Sequence, residues 1–485
     1  MTGLAAGFRP LEEFEQGEAI ALLPFRFLRL DAGRQVLTNL AGQHIIVPDS
    51  AVSALVEKRL APGDPLVRDL EARHFMSRGS PDTHLELLAA QIRTRQSRLP
   101  DLTLLHIFVV TLRCDHSCGY CQVSRVSENR TAYDMSKETA DRAVDLMLRS
   151  PARQLKVEFQ GGESLLNFPL LQQIVARTKE KADGREVAFV VATNLSFLTE
   201  EMLDFFVENQ VFVSTSLDGP PELHNRNRPR PGKDAYERTI AGIRRCRERL
   251  GPDGVSALMT CTAESLAQPE AIIDEYVRQG FKEIFLRHIS PYGFAVRSTG
   301  RIGYETEQFL EFYRRGLAYI LRLNREGVPL REVYSSLLLR RILSSFPTGY
   351  IDLQSPAGAG LGVLVYNYDG DVYASDEGRM LAEMGDTTFR LGNVHRHSWE
   401  DLFLETPLLD IADRTMTEGL PGCSECAFQP WCGSDPVFHH STQRDVVGHR
   451  PTSAFCRRNM EVIRHLVRLL EDDPESARIL RRWAK

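Results

Sequence analysis

The chain is 485 residues long, 42% hydrophobic and 26% charged, with a formal net charge of −6. That length exceeds one ordinary core and predicts more than one domain, while an acidic balance without basic blocks argues against nucleic acid as a partner. An N-terminus without a basic-then-apolar pattern, and the lack of any run of about 18 apolar residues, predict a cytoplasmic protein with neither an export signal nor a membrane span.

From about 20 to 48, FRFLRLDAGRQVLTNLAGQHIIVP alternates apolar and polar residues around turn signals at Asp31-Ala32-Gly33 and Ala41-Gly42, as a small meander does. Val52, Leu55, Val56 and Leu60, then Leu66, Leu70 and Phe75 after Pro65, predict two helices. Residues 1–100 therefore read as a small α+β module with a polar linker over 79–101.

From 105 to 290 one unit repeats: a nearly continuous apolar strand, then an amphipathic helix. The predicted strands cover 105–112, 155–162, 186–194, 211–218, 255–263 and 283–290, with helices near 136–150, 168–182, 199–209, 235–249 and 268–279. Strands buried on both faces and joined by helical crossovers imply a parallel sheet, here a partial (β/α)6 barrel over 101–303. Functional side chains then belong at the carboxyl ends of the strands. Polar residues collect there: Thr111 to Cys121, Gln160 to Ser164, Thr193 to Ser196, Ser214 to Asp218, and Arg287 to Ser290. A helical connector follows over 304–346, and Gly-rich turns with short strands open a last domain over 347–485.

Seven of the nine cysteines fall into two sets, and the remaining two, Cys246 and Cys261, read as small buried apolar residues. Cys114, Cys118 and Cys121 have the spacing C-x3-C-x2-C just after the first strand. Three thiolates ligate three irons of a four-iron cluster and leave the fourth open to a small ligand. Zinc completed by His116 is the structural alternative, with His116 awkwardly placed between two of the cysteines. Cys423, Cys426, Cys432 and Cys456 supply four thiolates, enough to close a cluster or a tetrahedral zinc site.

The first motif, with Tyr120 before its last cysteine, resembles the signature of the radical S-adenosylmethionine (SAM) family. FQGGES resembles the family's Gly-Gly-Glu segment, and ATNLS and STSLDGPPELHN resemble its third- and fourth-strand segments. The resemblance implies a [4Fe-4S] cluster with an open iron that binds SAM, the SAM amino group being received by Gly161, Gly162 and Glu163. It makes Tyr120, Asn194, Ser214, Ser216 and, at the sixth strand end, Arg287 further cofactor contacts. The C-terminal set, preceded by a Tyr-Asp-Gly-Asp-Val-Tyr hairpin and Leu391-Gly392-Asn393-Val394, resembles the SPASM extension of peptide-modifying members. SPAGAG, ASDE and GSDP carry no cysteine where fuller members do, so one auxiliary [4Fe-4S] cluster is expected.

The whole chain is most similar to the radical SAM maturase B family of the His-Xaa-Ser peptide system. That likeness implies a ribosomal precursor peptide as substrate, a second radical SAM maturase as companion, and a reducing partner such as flavodoxin or ferredoxin. The first module is similar to the peptide-recognition domain of such maturases, in which a leader peptide adds to a sheet edge. Two other classes stand beside this reading: another radical SAM catalyst, such as an anaerobic sulfatase-maturating enzyme, and a non-catalytic iron–sulfur or zinc protein.

Overall fold

The alternating pattern that begins at Phe25 folds as an antiparallel meander. A computed structural model describes residues 20–61 and 63–485, and the expectations for residues 1–19 lie outside them. Its first strands are β1 (Ile20–Leu22), β2 (Phe25–Asp31), β3 (Arg34–Asn39), β4 (His44–Pro48) and β5 (Met76–Arg78), with β2-β3-β4 as one sheet and β1-β5 as another. Gly33 (φ 94°) and Gly42 (φ 87°) take the left-handed conformation that the two tight turns require. The helices Asp49–Val56 and Pro65–Ala72 close this module over its own core, where Leu37, Val47, Val52, Leu55 and Leu70 are buried. The predicted polar linker is instead largely a helix, Asp82–Arg95. Asp82 in its first turn and Arg93 and Arg95 in its last complement the helix dipole.

The main body follows as β6 (Leu105–Thr111), β7 (Arg113–Cys114), β8 (Val126–Ser127), β9 (Gln154–Gly161), β10 (Glu186–Ala192), β11 (Val211–Ser216), β12 (Val255–Leu258) and β13 (Glu283–Ile284). The crossover helices are Lys137–Met147, Phe168–Lys181, Glu200–Asn209, Ala235–Leu250 and Pro269–Arg278, each within a few residues of its predicted span. Ser136 and Thr199 cap two of them by accepting from the backbone N–H of Thr139 and Met202. Two departures from expectation concern the end of this series. The fifth strand stops at Leu258, and of the predicted sixth strand only β13 pairs, with β14 (Arg331–Glu332). Arg287 thus lies beyond the paired part of its segment.

The C-terminal part adds β15 (Val363–Tyr366), β16 (Asp371–Tyr373) and β17 (Arg390–Asn393) to the same sheet, whose order is β12-β11-β10-β9-β6-β15-β16-β17. β15 runs parallel to β6, with Val363 opposite Leu105 and Tyr366 opposite Phe108. The C-terminal domain is therefore stitched into the central sheet rather than appended to it. One continuous core runs from Phe108 and Val157 to Trp431 and Leu466, and Cys246 and Cys261 are buried within it. No helix among the described residues is long and apolar enough to cross a membrane.

Candidate active site

The first cysteine loop leaves the carboxyl end of β6 and is held by its neighbours at several points. Asp115 Oδ1 accepts from Asn194 Nδ2 at 2.9 Å, and Asp115 Oδ2 lies 3.1 Å from Arg230 Nε. His116 Nδ1 lies 2.8 Å from both Asp115 Oδ1 and Asn194 Nδ2, while the backbone N–H of Ser117 donates to Pro229 O at 2.7 Å. Burial works to raise the Asp115 carboxyl, but its hydrogen bonds to His116, Asn194 and Arg230 prevail and hold it below the usual range. The ligand atoms of Cys114, Asp115 and His116 lie within 4.8 Å of one another. His116 is 2% exposed, its Nδ1 is engaged with Asp115 and Asn194, and its Nε2 has no partner among the described residues.

Tyr120 is anchored beneath the loop. Its hydroxyl donates to Asp218 Oδ2 at 2.6 Å, Arg228 Nε sits 3.2 Å from the same oxygen, and the guanidinium lies 5.3 Å over the Tyr120 ring. Asp218 is fully buried and also accepts from Thr260 N–H at 3.2 Å. Burial alone would lower Arg228, but Asp218, Tyr120 and Cys118 overcome it and raise the guanidinium, which stays charged. Nothing in the sequence links Tyr120 to Asp218 or Arg228, because the partners lie about a hundred residues apart; the only local signal was the polar cluster at the fourth strand end.

The Gly-Gly-Glu segment crosses the first strand at its end. Gly162 N–H donates to Thr111 O at 2.9 Å and Glu163 N–H to Arg113 O at 2.7 Å. A Cβ on Gly161 would stand 2.0 Å from Thr111 O, and one on Gly162 2.2 Å from Arg113 O. The glycines are thus required by the backbone that carries the cysteines. Glu163 is fully buried and accepts from Thr193 Oγ1 (2.6 Å), Asn194 N–H (2.7 Å) and Leu165 N–H (3.0 Å). Burial nonetheless pushes its carboxyl up to about 7. Its carboxylate ties the second strand end to the third. Asn194 is likewise engaged, its Nδ2 with the cysteine loop and its Oδ1 accepting from Ser196 N–H at 2.8 Å.

A cavity of about 830 Å³ opens over these strand ends and into the sheet's concave side. Cys114, Cys118, Cys121, Tyr120, Gly161, Gly162, Asn194, Ser214, Ser216 and Arg287 all line it. Of the predicted cluster ligands and cofactor contacts at the strand ends, Glu163 alone is not among the lining residues. Ser214 and Ser216 share one face of β11, as a period of two requires. Burial raises Cys114 well above an ordinary thiol and Cys118 up to about 12. Thiols so desolvated ionise only against a bound cationic centre, and three soft donors beside a ligand-sized cavity suit a cluster with one open position.

The second set forms its own site. Burial lifts Cys426 up to about 11 and Cys456 up to about 12, and the neighbouring cysteines of the set add to each shift, so the thiols lie within electrostatic reach of one another. Asn459 Nδ2 donates to Cys432 Sγ at 3.7 Å. Arg450, 8% exposed and acting on Cys423, keeps Nε and Nη2 without partners among the described residues, and Arg26, acting on Cys426, does so at Nη1. Unspent buried cationic donors around four thiols fit an anionic metal–thiolate group. Arg26 and Arg450 went unnoticed in the sequence, where isolated arginines carry no signal.

Residues 108–286 match the Radical SAM superfamily model. The chain is 28% identical over 186 residues to an uncharacterized protein of Methanocaldococcus jannaschii, covering 38% of this chain and 62% of that one. It covers 64% of a second uncharacterized relative, from Methanothermobacter thermautotrophicus, so it spans slightly under two thirds of either. It is 26% identical over 322 residues to the cysteine-type anaerobic sulfatase-maturating enzyme of Clostridium perfringens strain 13, covering 63% of this chain and 80% of that enzyme. Among solved structures it resembles anSMEcpe with bound AdoMet (TM-score 0.64, 18% identity, 78% of this chain and 99% of that one). It also resembles Streptococcus suis SuiB bound to precursor peptide SuiA (TM-score 0.51, 14% identity, 89% and 98%). The fold is that mixed α/β radical SAM fold.

Proposed function

We propose that this chain, whose residues 108–286 belong to the Radical SAM superfamily, cleaves SAM reductively and uses the resulting radical to modify a ribosomally made peptide of the His-Xaa-Ser type. The observation that carries the reading is the convergence of three thiols, Tyr120, two glycines, Asn194 and two serines on one cavity at successive strand ends. Cys114, Cys118 and Cys121 would hold a [4Fe-4S] cluster with an open iron, and the four C-terminal cysteines one auxiliary [4Fe-4S] cluster. The first cluster with bound SAM supplies one-electron cleavage of the sulfonium carbon–sulfur bond, giving methionine and a 5′-deoxyadenosyl radical that takes hydrogen from substrate.

The chain's own residues prepare that event. The Asp115–Asn194 and Tyr120–Asp218–Arg228 contacts fix the cysteine loop before any ligand arrives. Gly161 and Gly162 bring backbone groups to the cavity wall, Ser214 and Ser216 offer hydroxyls, and Arg287 offers a cation to a carboxylate. The edge strands β2 and β4, which have no further strand partner among the described residues, would offer main-chain groups to an extended leader peptide. Val52 and Leu55 are spent in the module's core, which leaves the exposed Phe27 as an apolar contact on β2. A flavodoxin or ferredoxin would supply electrons, and a second radical SAM maturase would share the peptide.

Anaerobic reconstitution with iron and sulfide, then dithionite and SAM, should yield 5′-deoxyadenosine, and Cys114→Ala, Cys118→Ala or Cys121→Ala should abolish it. Persistent cleavage in any of the three would sink the assignment. Mass spectrometry of the co-expressed precursor then identifies the product. A second reading, maturation of a sulfatase, draws support from the 26% identity over 322 residues to the Clostridium enzyme. Conversion of a sulfatase-derived peptide and not of the precursor would favour it.

A further inference from the structure

We infer that a second cavity, of about 340 Å³, is an anion subsite that holds a carboxylate of the peptide substrate, from an Asp or Glu side chain or from a free C-terminus. The inference rests on the peptide-modifying reading and adds to it where part of the peptide is gripped. The cavity lies between the N-terminal module, the Asp82–Arg95 helix and the C-terminal domain. Arg26, Arg95, Arg98 and Arg341 line it, against the single carboxylate of Glu418.

Four guanidinium groups face one carboxylate there, although Arg26 also faces Cys426 and Glu425. Arg95 donates to the carbonyl oxygens of Ala41 at 2.8 Å and Pro430 at 2.9 Å, and Arg341 to those of Trp431 at 3.0 Å and Cys432 at 3.1 Å. Carbonyl dipoles satisfy hydrogen bonds without cancelling charge. Arg95 and Arg341 have an architectural use in the carbonyls they bind. Arg98 has none: it is exposed and makes no side-chain hydrogen bond or ion pair among the described residues.

Position supplies the second half of the case. Arg98, Leu104, Gly349, Gln354 and Gly362 line both this cavity and the reaction cavity, so the two share a wall. A chain held by a carboxylate against the arginines would continue directly toward the cysteine loop. A guanidinium meets a carboxylate through two parallel hydrogen bonds, which fixes direction as well as affinity.

The test uses the full-length, iron-reconstituted enzyme and isothermal calorimetry at low salt. The probes are synthetic ten-residue peptides of Gly, Ser and His carrying two Asp or two Asn, each with a free or an amidated C-terminus. An acidic form should bind about tenfold more tightly than the Asn, amidated form, about one charge-assisted contact. The arm that carries the gain names the source of the carboxylate. Arg98→Glu should remove most of that preference. Equal affinities for all four peptides, or a preference undiminished in Arg98→Glu, would overturn the subsite. Enzyme that makes no 5′-deoxyadenosine refutes the functional reading, whereas enzyme that makes it but ignores peptide charge refutes only this inference.

Discussion

Two buried titratable residues carry tasks that a substitution can isolate. Glu163 accepts from Thr193, Asn194 and Leu165 in a site closed to solvent. Glu163→Ala leaves those donors unpaired, at a cost of about 3 kcal/mol, and slackens the Asn194 backbone that steadies the cysteine loop. The expected result is a lower thermal midpoint together with weaker SAM binding by calorimetry; Glu163→Gln, which keeps one acceptor oxygen, should lose less of both. An unchanged midpoint in the Ala variant would remove Glu163 from this role. His106 on β6 is fully buried and neutral, with Nδ1 3.0 Å from the Tyr366 hydroxyl and Nε2 3.1 Å from Thr103 O. Burial pulls it down to about 3 from an ordinary 6.5, while the Thr103 carbonyl opposes that shift. A folded pKa below the unfolded one means stability that is complete above pH 6.5 and lost as pH falls toward 3. At pH 5 the loss from this group is about 2 kcal/mol. Thermal midpoints measured from pH 7 to 5 should therefore fall more steeply for the native chain than for His106→Gln, and parallel slopes would contradict the assignment.

At the scale of elements, the junction of β6 with the Gly-Gly-Glu segment governs the site. Gly162 has no room for a Cβ, which would meet Arg113 O at 2.2 Å, one residue before Cys114. Gly162→Ala must push the two backbones apart and misplace the first ligand. The variant should lose about four irons per chain, those of the first cluster, and keep the C-terminal ones. Full iron content with native SAM cleavage would refute that coupling. The crossover helices were legible because apolar spacing and capping residues such as Ser136 and Thr199 are local signals. The pairing of Val363 with Leu105 was not, since a parallel partner more than 250 residues away leaves no trace in either strand's own pattern. The sixth strand was overextended for a related reason: residues 283–290 are apolar enough to pair, but only Glu283 and Ile284 find a neighbour, in β14. In the site, cysteine spacing and paired glycines were readable, whereas the Asp218–Arg228 pair under Tyr120 emerges only when distant strand ends meet.

On the scale of the whole molecule, the N-terminal module is part of the C-terminal cysteine site. Thr38 Oγ1 donates to Ala427 O at 2.6 Å, Trp431 Nε1 donates to Gly42 O at 3.0 Å, and His44 meets the Trp431 ring edge-on at 5.1 Å. Arg26 reaches Ser424 O between the first two cysteines of that set. These contacts flank Cys423, Cys426 and Cys432, and Trp431 is fully buried by them together with the core. From the sequence, the module reads as a detachable recognition domain. A domain that covers a tryptophan beside Cys432 is not detachable, because its removal exposes a large apolar face and frees two backbone carbonyl contacts. Deleting residues 1–78 should therefore do more than weaken precursor binding. Anaerobically prepared full-length protein should carry about eight irons and the truncated form about four, the missing ones being C-terminal. The first cysteine loop draws its supports from Gly162, Glu163, residues 194–234 and Phe294 instead, so SAM cleavage without peptide should persist in the truncated form. Iron analysis beside 5′-deoxyadenosine formation separates the outcomes. Eight irons in the truncated protein would show that the module's docking is dispensable to the C-terminal site and that it serves the peptide alone.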